Sequence, residues 1–590
     1  MSTAELRAAT PEQTSSVSTR LLGFVRRIVG RPEFIGGLVG IVGFARYQRF
    51  SIVNPTNVNA FIAGDWGTHM MGWLQYRNSP SWSLPLGQVP GLGYPQGTSM
   101  IYTDSIPLIG VILRPFSALL PTDFQYLGMW LLAGYILQGA FGARIASRFL
   151  TSKVAIAASA ALFVVMPAFL IRAVHPALTG QWIILAVIAA ALGTARSRRW
   201  GLVALVSVTA LIQPYLWMFV LVMLFGLLID DVRRGAARWR DVLISATTAF
   251  VASVALLALV GAFSSGYQPA TGGFGLYPAN ALTFIADNGM SRVFEFIPLP
   301  ATQYDGIAFL GVGVFLLLAI AAILMLARRR RGTGMVARVL HTRWPLVTVG
   351  ASVLLFVYAL SNHVFVRGRE VLDLSWMYHY VLPLAERFRS SGRAVWPLMY
   401  FIVAFAIGAL RRSLNGWVKN PERVAAAILV VCATVQVVDL RMSNRYDALR
   451  SFFFSQGAEY YVPRLEDPRW RLMDDGGYRH MAAVPTALYG CTGPIPAEGY
   501  DSGRIALLSL EAYRADLTFN SGYFSRLRTG VAESCAAQNA AAANHLDADT
   551  VYSFMSDSVP PAESTCDLLD DIQVCVTSTN DDAFARSLRS

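Results

Sequence analysis

Charge is what this sequence has least of. Only 15% of its 590 residues are charged, against 54% hydrophobic, and a soluble surface needs more polar cover than that. Several chemical signatures are also missing. There is no glycine-lysine phosphate loop, no dinucleotide fingerprint after a strand, no serine elbow and no His-Glu metalloprotease helix. ATP-driven transport and soluble-nucleotide chemistry therefore have no support. Cysteine is scarce, five in all, and none has metal-ligand spacing, which argues against a zinc site. The first 33 residues are polar and basic and lack a small-residue cleavage site. They read as a cytoplasmic tail before a signal anchor.

What is present is a series of apolar runs separated by basic clusters, such as "RRIVGR" (26–31), "ARSRR" (195–199), "DDVRRGAARWR" (230–240) and "RRSLNGWVK" (411–419). The net charge of +12 thus reports membrane topology rather than nucleic-acid binding. The runs predict about eleven transmembrane helices between 34 and 440, with an inside N-terminus and an outside C-terminus. "SIPLIGVILRPFSALLP" (105–121) is apolar but carries Arg114-Pro115, and reads as an interfacial or re-entrant helix. A long run around Gln213-Pro214-Tyr215 is read as a hairpin that turns at the proline, with a single long helix as the rival.

This topology leaves four segments outside: 54–122, 263–306, 362–394 and 441–590. The last alternates helix-like and strand-like runs and predicts an α/β domain of usual size. It holds Cys491, Cys535, Cys566 and Cys575, an even number that suggests disulfides. Three pairings are open, and Cys491–Cys535 with Cys566–Cys575 is the preferred one.

Polar residues that composition does not explain cluster near the outer span ends. In "FIAGDWGTHMMGWLQYR" (61–77), a helix would place Asp65 and His69 on one face, as a base or orienting carboxylate with a helper. A helix cap is the bland alternative for Asp65, and again for Asp104 in "YTDSIP". Arg172 and His175 in "IRAVHPALTGQW" are costly at membrane depth, and so are functional candidates. Gln181, Gln213 and Tyr215 read as structural partners of prolines. Arg367, Arg369, Arg387, Arg389 and Arg393 break the positive-inside rule, as do Arg46 and Arg49. A planar guanidinium suits a lipid phosphate, and "FRSSGR" offers hydroxyls and backbone amides besides. Ion pairing with Glu370, Asp373 and Glu386 is the alternative.

The long acidic first loop, the span series and the outer C-terminal domain resemble the GT-C superfamily of integral-membrane glycosyltransferases. "GDWGTHMMGWLQYRNSPSWSLPLG", "YTDSIPLIGVILRPFSALLP", "HPALTGQW", "QPYLWM" and "FRSSGRAVWP" are similar to an uncharacterised bacterial membrane family grouped with it. The resemblance implies a polyprenyl-phosphate sugar donor, membrane lipid and a glycan or glycolipid acceptor as partners, and transfer at the outer face of the cytoplasmic membrane. It implies Asp65 as the base and Arg389 and Arg393 at the carrier phosphate. The resemblance fixes no cofactor, and a divalent metal is open but not favoured, because Asp65 is followed by Trp66 rather than by a second acid. The competing expectations are a flippase for a lipid-linked glycan and a non-enzymatic envelope scaffold.

Overall fold

The computed structural model describes residues 29–589 except 63, 80–83, 194–197, 265, 270–273, 295–296, 298, 331–343, 381, 442–463, 489–490, 492–501 and 556–557. The expected N-terminal tail lies outside the described residues apart from its last five, as do much of the basic segment at 327–338 and the start of the tail domain.

The chain first builds a helical bundle. Helix α1 (Pro32–Tyr47) has proline in its first turn and glycines along one side. A Cβ on Gly36 would strike the carbonyl of Gly139, and one on Gly40 that of Tyr135. Glycine is thus what lets α1 lie directly on a later helix, as small residues do at membrane helix interfaces. Helix α2 (Gly64–Arg77) follows in the first outer loop, then the short α3 (Pro107–Leu113) and α4 (Leu127–Ala146), the partner of α1. Next come α5 (Lys153–Val164), α6 (Pro167–Ile171) and α7 (Trp182–Ala191). After them the predicted hairpin break is present. Helix α8 (Arg199–Thr209) stops short of Gln213, and α9 (Pro214–Arg233) begins at the proline. The Gln213 side chain caps α9 by accepting from the Tyr215 amide at 3.1 Å, so one continuous helix is excluded.

Helix α10 (Trp239–Leu259), α11 (Val312–Arg330), α12 (Leu346–Ala359), α13 (Trp396–Leu414) and α14 (Pro421–Asp439) complete the bundle. The apolar stretch of α13 is 83% buried and that of α10 only 28%, so α13 is central and α10 peripheral. Eleven crossings are not found. Among the described residues four helices are long and apolar enough to cross a membrane, or five if the bent pair α5 and α6 counts as one span. Five more apolar helices have 10–17 residues. Prolines cut the runs into pieces shorter than the roughly 20 residues a crossing needs. The segment 105–121 is one such piece, α3 with a 3-10 turn, Arg114–Leu119.

The C-terminal part is an α/β domain, as expected. Its five-stranded sheet includes β4 (His480–Val484), β5 (Thr518–Phe519), β7 (Thr550–Phe554), β8 (Ser564–Leu569) and β9 (Ile572–Thr577), in the order β8-β9-β7-β4-β5. Two helices, α15 (Ser502–Arg514) and α16 (Val531–Asn544), belong to it. Cys566 and Cys575 face each other across β8 and β9 and are bonded, and Cys491 is bonded to Cys535. The preferred pairing is therefore the observed one. The free Cys432 is buried in α14.

The domain is fastened to loops of the bundle. Arg514 reaches Asp123 at 2.6 Å, and the Phe519 amide donates to the Gly91 carbonyl at 2.7 Å. Strand β1 (Tyr267–Pro269), from an outer loop, pairs with β6 (Arg526–Arg528) of the tail domain, with Pro269 opposite Arg526. A hairpin, β2 (His363–Val366) and β3 (Arg369–Asp373), lies in the 362–394 segment and is tied to Asn280, whose Nδ2 donates to the Arg367 carbonyl at 2.7 Å.

Candidate functional site

A cavity of about 820 Å³ opens where the outer loops, the bundle and the tail domain meet. Its walls differ in chemistry. Asp65, Asp104 and His175 occupy one part, Asp305 and Arg393 another, and Arg387, Arg389 and Arg526 a third. Phe250, Val254 and Leu257 of the peripheral α10 form an apolar side.

The carboxylates come first. Asp65 is the second residue of α2, inside the first turn rather than at the cap, where the helix dipole favours a negative charge. Among the described residues its carboxylate has no hydrogen bond. Burial raises its pKa, with the charge of Asp104 adding to that and His175 opposing it. Asp104 is not a cap either, since α3 is capped at Ile106 without any side-chain bond. The turn before α3 is instead left-handed at both Asp104 (φ 54°) and Ile106 (φ 48°), an outlier for a β-branched residue. Ser105 holds it, its hydroxyl donating to the His69 carbonyl at 2.7 Å while its own carbonyl accepts from Tyr126 Oη. The turn aims the Asp104 carboxylate at His175 Nε2, 3.3 Å away, and at Gln213 Nε2, which donates at 3.1 Å. Burial alone would raise this carboxyl, but the imidazole beside it holds it down at about 2.

His69 lies behind the cavity and is only 1% exposed. Its Nδ1 is 2.6 Å from the Asp65 backbone carbonyl, not the carboxylate. That partner places the proton on Nδ1 and leaves Nε2 to accept from the Ala177 amide at 3.5 Å. Burial and the neighbouring His175 ring, at 4.6 Å edge to face, pull its pKa down to about 3. The ring is neutral, and its contacts orient Asp65 and His175 from beneath.

In the second group Arg172 and Arg393 were expected from the sequence, but their shared partner Asp305 was not. Asp305, 1% exposed, binds Arg172 Nη1 at 2.9 Å through Oδ1 and Arg393 Nη2 at 3.0 Å through Oδ2. Arg172 also donates to the Tyr304 carbonyl at 2.6 Å. Burial would raise the Asp305 carboxyl, but the two guanidiniums outweigh it and lower it. The Ser-Ser-Gly turn does not offer its amides to an anion. The Ser390 amide donates to Tyr215 Oη at 3.1 Å and the Gly392 amide to the Tyr277 carbonyl at 3.0 Å. Gly392 also packs on the backbone of Gly306, where a Cβ would be crowded. Glycine there is a packing requirement.

The third group spans both parts of the chain. Arg526 enters from the tail domain with Tyr523 and Ser525, and its Nη2 donates to the Arg387 carbonyl at 3.3 Å. Burial lowers its pKa, and the charges of Arg387 and Arg389 push it the same way. Among the described residues neither Arg387 nor Arg526 has a carboxylate partner. Three guanidiniums thus converge on one part of the cavity.

Other expected members are elsewhere. Arg46 is exposed and stacks on Tyr47 at 5.1 Å. Arg367 and Arg369 are exposed on the β2–β3 hairpin, because a local turn carries them away from the cavity. Glu370 and Asp373 do not pair with these arginines. They gather around His363, at 2.9 and 3.9 Å. Among the described residues this trio is the one His/acid group close enough to share a metal ion, and it is exposed and remote from the cavity lining. Gln181 is structural, donating to the Ala168 carbonyl and accepting from Tyr400 Oη at 2.6 Å.

The sequence profile of a family described as domain of unknown function DUF6311 matches residues 37–441, most of the chain. The protein belongs to the DUF6311 family. The DUF6311 C-terminal domain matches residues 469–577, so both parts that wall the cavity fall within the family's own profiles. No curated protein matches the chain.

Proposed function

We propose that this DUF6311 member is a glycosyltransferase that moves a sugar from a polyprenyl-phosphate donor to an acceptor at the outer face of the bacterial cytoplasmic membrane. The observation that carries this reading is a single cavity whose lining holds a half-buried carboxylate, Asp65, with no hydrogen bond among the described residues, together with a three-arginine cluster and an apolar wall. Phe250 of that wall is 52% exposed on the bundle's outside, which suits a lipid tail reaching the site from the bilayer.

In this reading Asp65 takes the proton of the acceptor hydroxyl. The hydroxyl oxygen bonds to the anomeric carbon, the bond from that carbon to the phosphate oxygen breaks, and the lipid phosphate leaves with the electron pair. A carboxylate of raised pKa and no competing hydrogen bond is the better base, so the role falls to Asp65 rather than to Asp104. Asp104 with His175 holds negative charge near the reacting carbon, where positive charge builds. Arg387, Arg389 and Arg526 stabilise the departing phosphate. Arg393 and Arg172, already neutralised in part by Asp305, shape the site. The N-terminus is then cytoplasmic and the disulfide-bonded domain periplasmic, a compartment in which such bonds persist.

The test is Asp65→Asn in a reconstituted assay with a defined polyprenyl-phosphate sugar. Transfer should fall by about 10²–10⁴-fold, the usual contribution of a general base, while lipid-phosphate binding is retained. Undiminished transfer by the variant would rule the assignment out.

A further inference from the structure

The bundle has a second cavity of about 510 Å³ at its other end. Helices α9 and α13 both start beside the first cavity, at Pro214 and Arg393–Trp396, and both end beside the second, at Arg234 and Arg411–Arg412. Helix α13 has 19 residues, so the two cavities are separated by about 28 Å. By the positive-inside pattern the second cavity faces the cytoplasm.

Among the described residues its lining holds Arg148, Arg234, Arg411 and Arg412 and no carboxylate. Basic residues at such an end would be expected from topology and from helix C-termini. Two of these arginines do touch such carbonyls, Arg148 that of Ala189 at 3.4 Å and Arg234 that of Ala191 at 2.9 Å, both on α7. Those contacts fix the guanidiniums, and the charges of Glu33 and Asp231 act on Arg148 and Arg234 from outside the lining. Arg411 pairs with Glu422 at 2.6 Å, and that carboxylate is not part of the lining. Capping needs no cavity, whereas here four cations surround one. At Gly193 a Cβ would meet the guanidinium of Arg148 and that of Arg198 at 2.7 Å, so glycine permits the cations to close in. Phe149 and Trp344 form the remaining wall, stacked with ring centroids 6.0 Å apart.

We propose that this cavity binds a phosphate group at the cytoplasmic end of the bundle. Guanidinium forks match phosphate oxygens, basic pockets between helices on this side of a membrane take anionic headgroups, and an aromatic wall accommodates the glycerol or acyl portion of a lipid. The proposal does not rest on the glycosyltransferase reading, since none of its residues lines the first cavity.

The experiment follows the thermal unfolding midpoint of the full chain in detergent. It is titrated separately with phosphatidylglycerol, phosphatidylcholine and inorganic phosphate. Two variants are compared with the parent. Arg148→Gln removes one cation. Asn415→Asp adds a carboxylate where Asn415 Oδ1 already accepts from Arg411 Nη1, so it weakens an anion without removing a structural contact. A saturable shift with phosphatidylglycerol, absent with phosphatidylcholine and about tenfold weaker in both variants, supports a lipid phosphate. The same variant-sensitive shift with inorganic phosphate supports a soluble phosphate ligand. Shifts unchanged by Asn415→Asp, or equal for the two lipids with none from phosphate, would overturn the proposal.

Discussion

Oδ2 of Asp305 lies 3.0 Å from Nη2 of Arg393, and both side chains are at most 10% exposed. The same carboxylate also holds Arg172, so one anion organises two buried cations from distant parts of the chain. Removing it leaves both uncompensated. Asp305→Asn should cost about 3–5 kcal/mol of stability, the usual penalty for breaking a buried pair. Unfolding in detergent checks this; a loss below about 1 kcal/mol would show that the pair is solvated and not buried.

The base assignment predicts a pH profile. Asp65 must be deprotonated to accept a proton, and burial raises its pKa. The transfer rate should therefore climb with pH through a value above the ordinary carboxylate pKa of about 4. Asp104, held at about 2, is already ionised across that range. Asp104→Asn should lower the rate and move the limb to lower pH, because it removes a charge that helps raise Asp65. A limb abolished by Asp104→Asn but kept by Asp65→Asn would exchange the two roles.

Arg526 tests whether the tail domain belongs to the site. Losing a hydrogen bond to a charged group costs about 1.5–3 kcal/mol. Arg526→Ala should thus reduce kcat/KM for the lipid donor by about 10–150-fold while the thermal midpoint stays near that of the parent. Steady-state kinetics with donor varied and acceptor saturating would show it. Unchanged kinetics would confine the phosphate site to Arg387 and Arg389.

The two disulfides close loops of different length, with sequence separations of 44 and 9. Chain-entropy scaling makes the Cys491–Cys535 bond worth about 1.4 kcal/mol more than Cys566–Cys575. Paired serine substitutions, each followed by denaturant unfolding, compare them. A larger loss from Cys566→Ser/Cys575→Ser would mean that the β8–β9 hairpin depends on its crosslink more than entropy requires.

The parts of this architecture visible in the sequence were those set locally. Proline at 214 dictated the break between α8 and α9, and the even number of cysteines in the C-terminal domain pointed to disulfides, of whose three open pairings the preferred one is observed. Asp65, Asp104 and His175 were visible as polar residues near span ends, and Arg387, Arg389 and Arg393 because they break the positive-inside rule; packing brings all six to one cavity. Asp305 and Arg526 carried no such contrast. They sit in ordinary polar loop sequence, and only tertiary packing places them. Arg367 and Arg369 broke the charge rule but were drawn aside by a hairpin turn. The span count failed for a physical reason. Prolines such as Pro167 and Pro176 cut apolar runs into helices shorter than a crossing, and hydropathy does not register the break.

The pairing of β1 with β6 makes chain length as important as side-chain chemistry near the site. Six residues separate Phe519, anchored on Gly91, from Arg526, anchored opposite Pro269. Successive strand residues point to opposite faces. One residue inserted before β6 would therefore turn Arg526 away from the cavity and present a neighbour in its place. The segment from 520 to 525 should tolerate changes of side chain far better than changes of length.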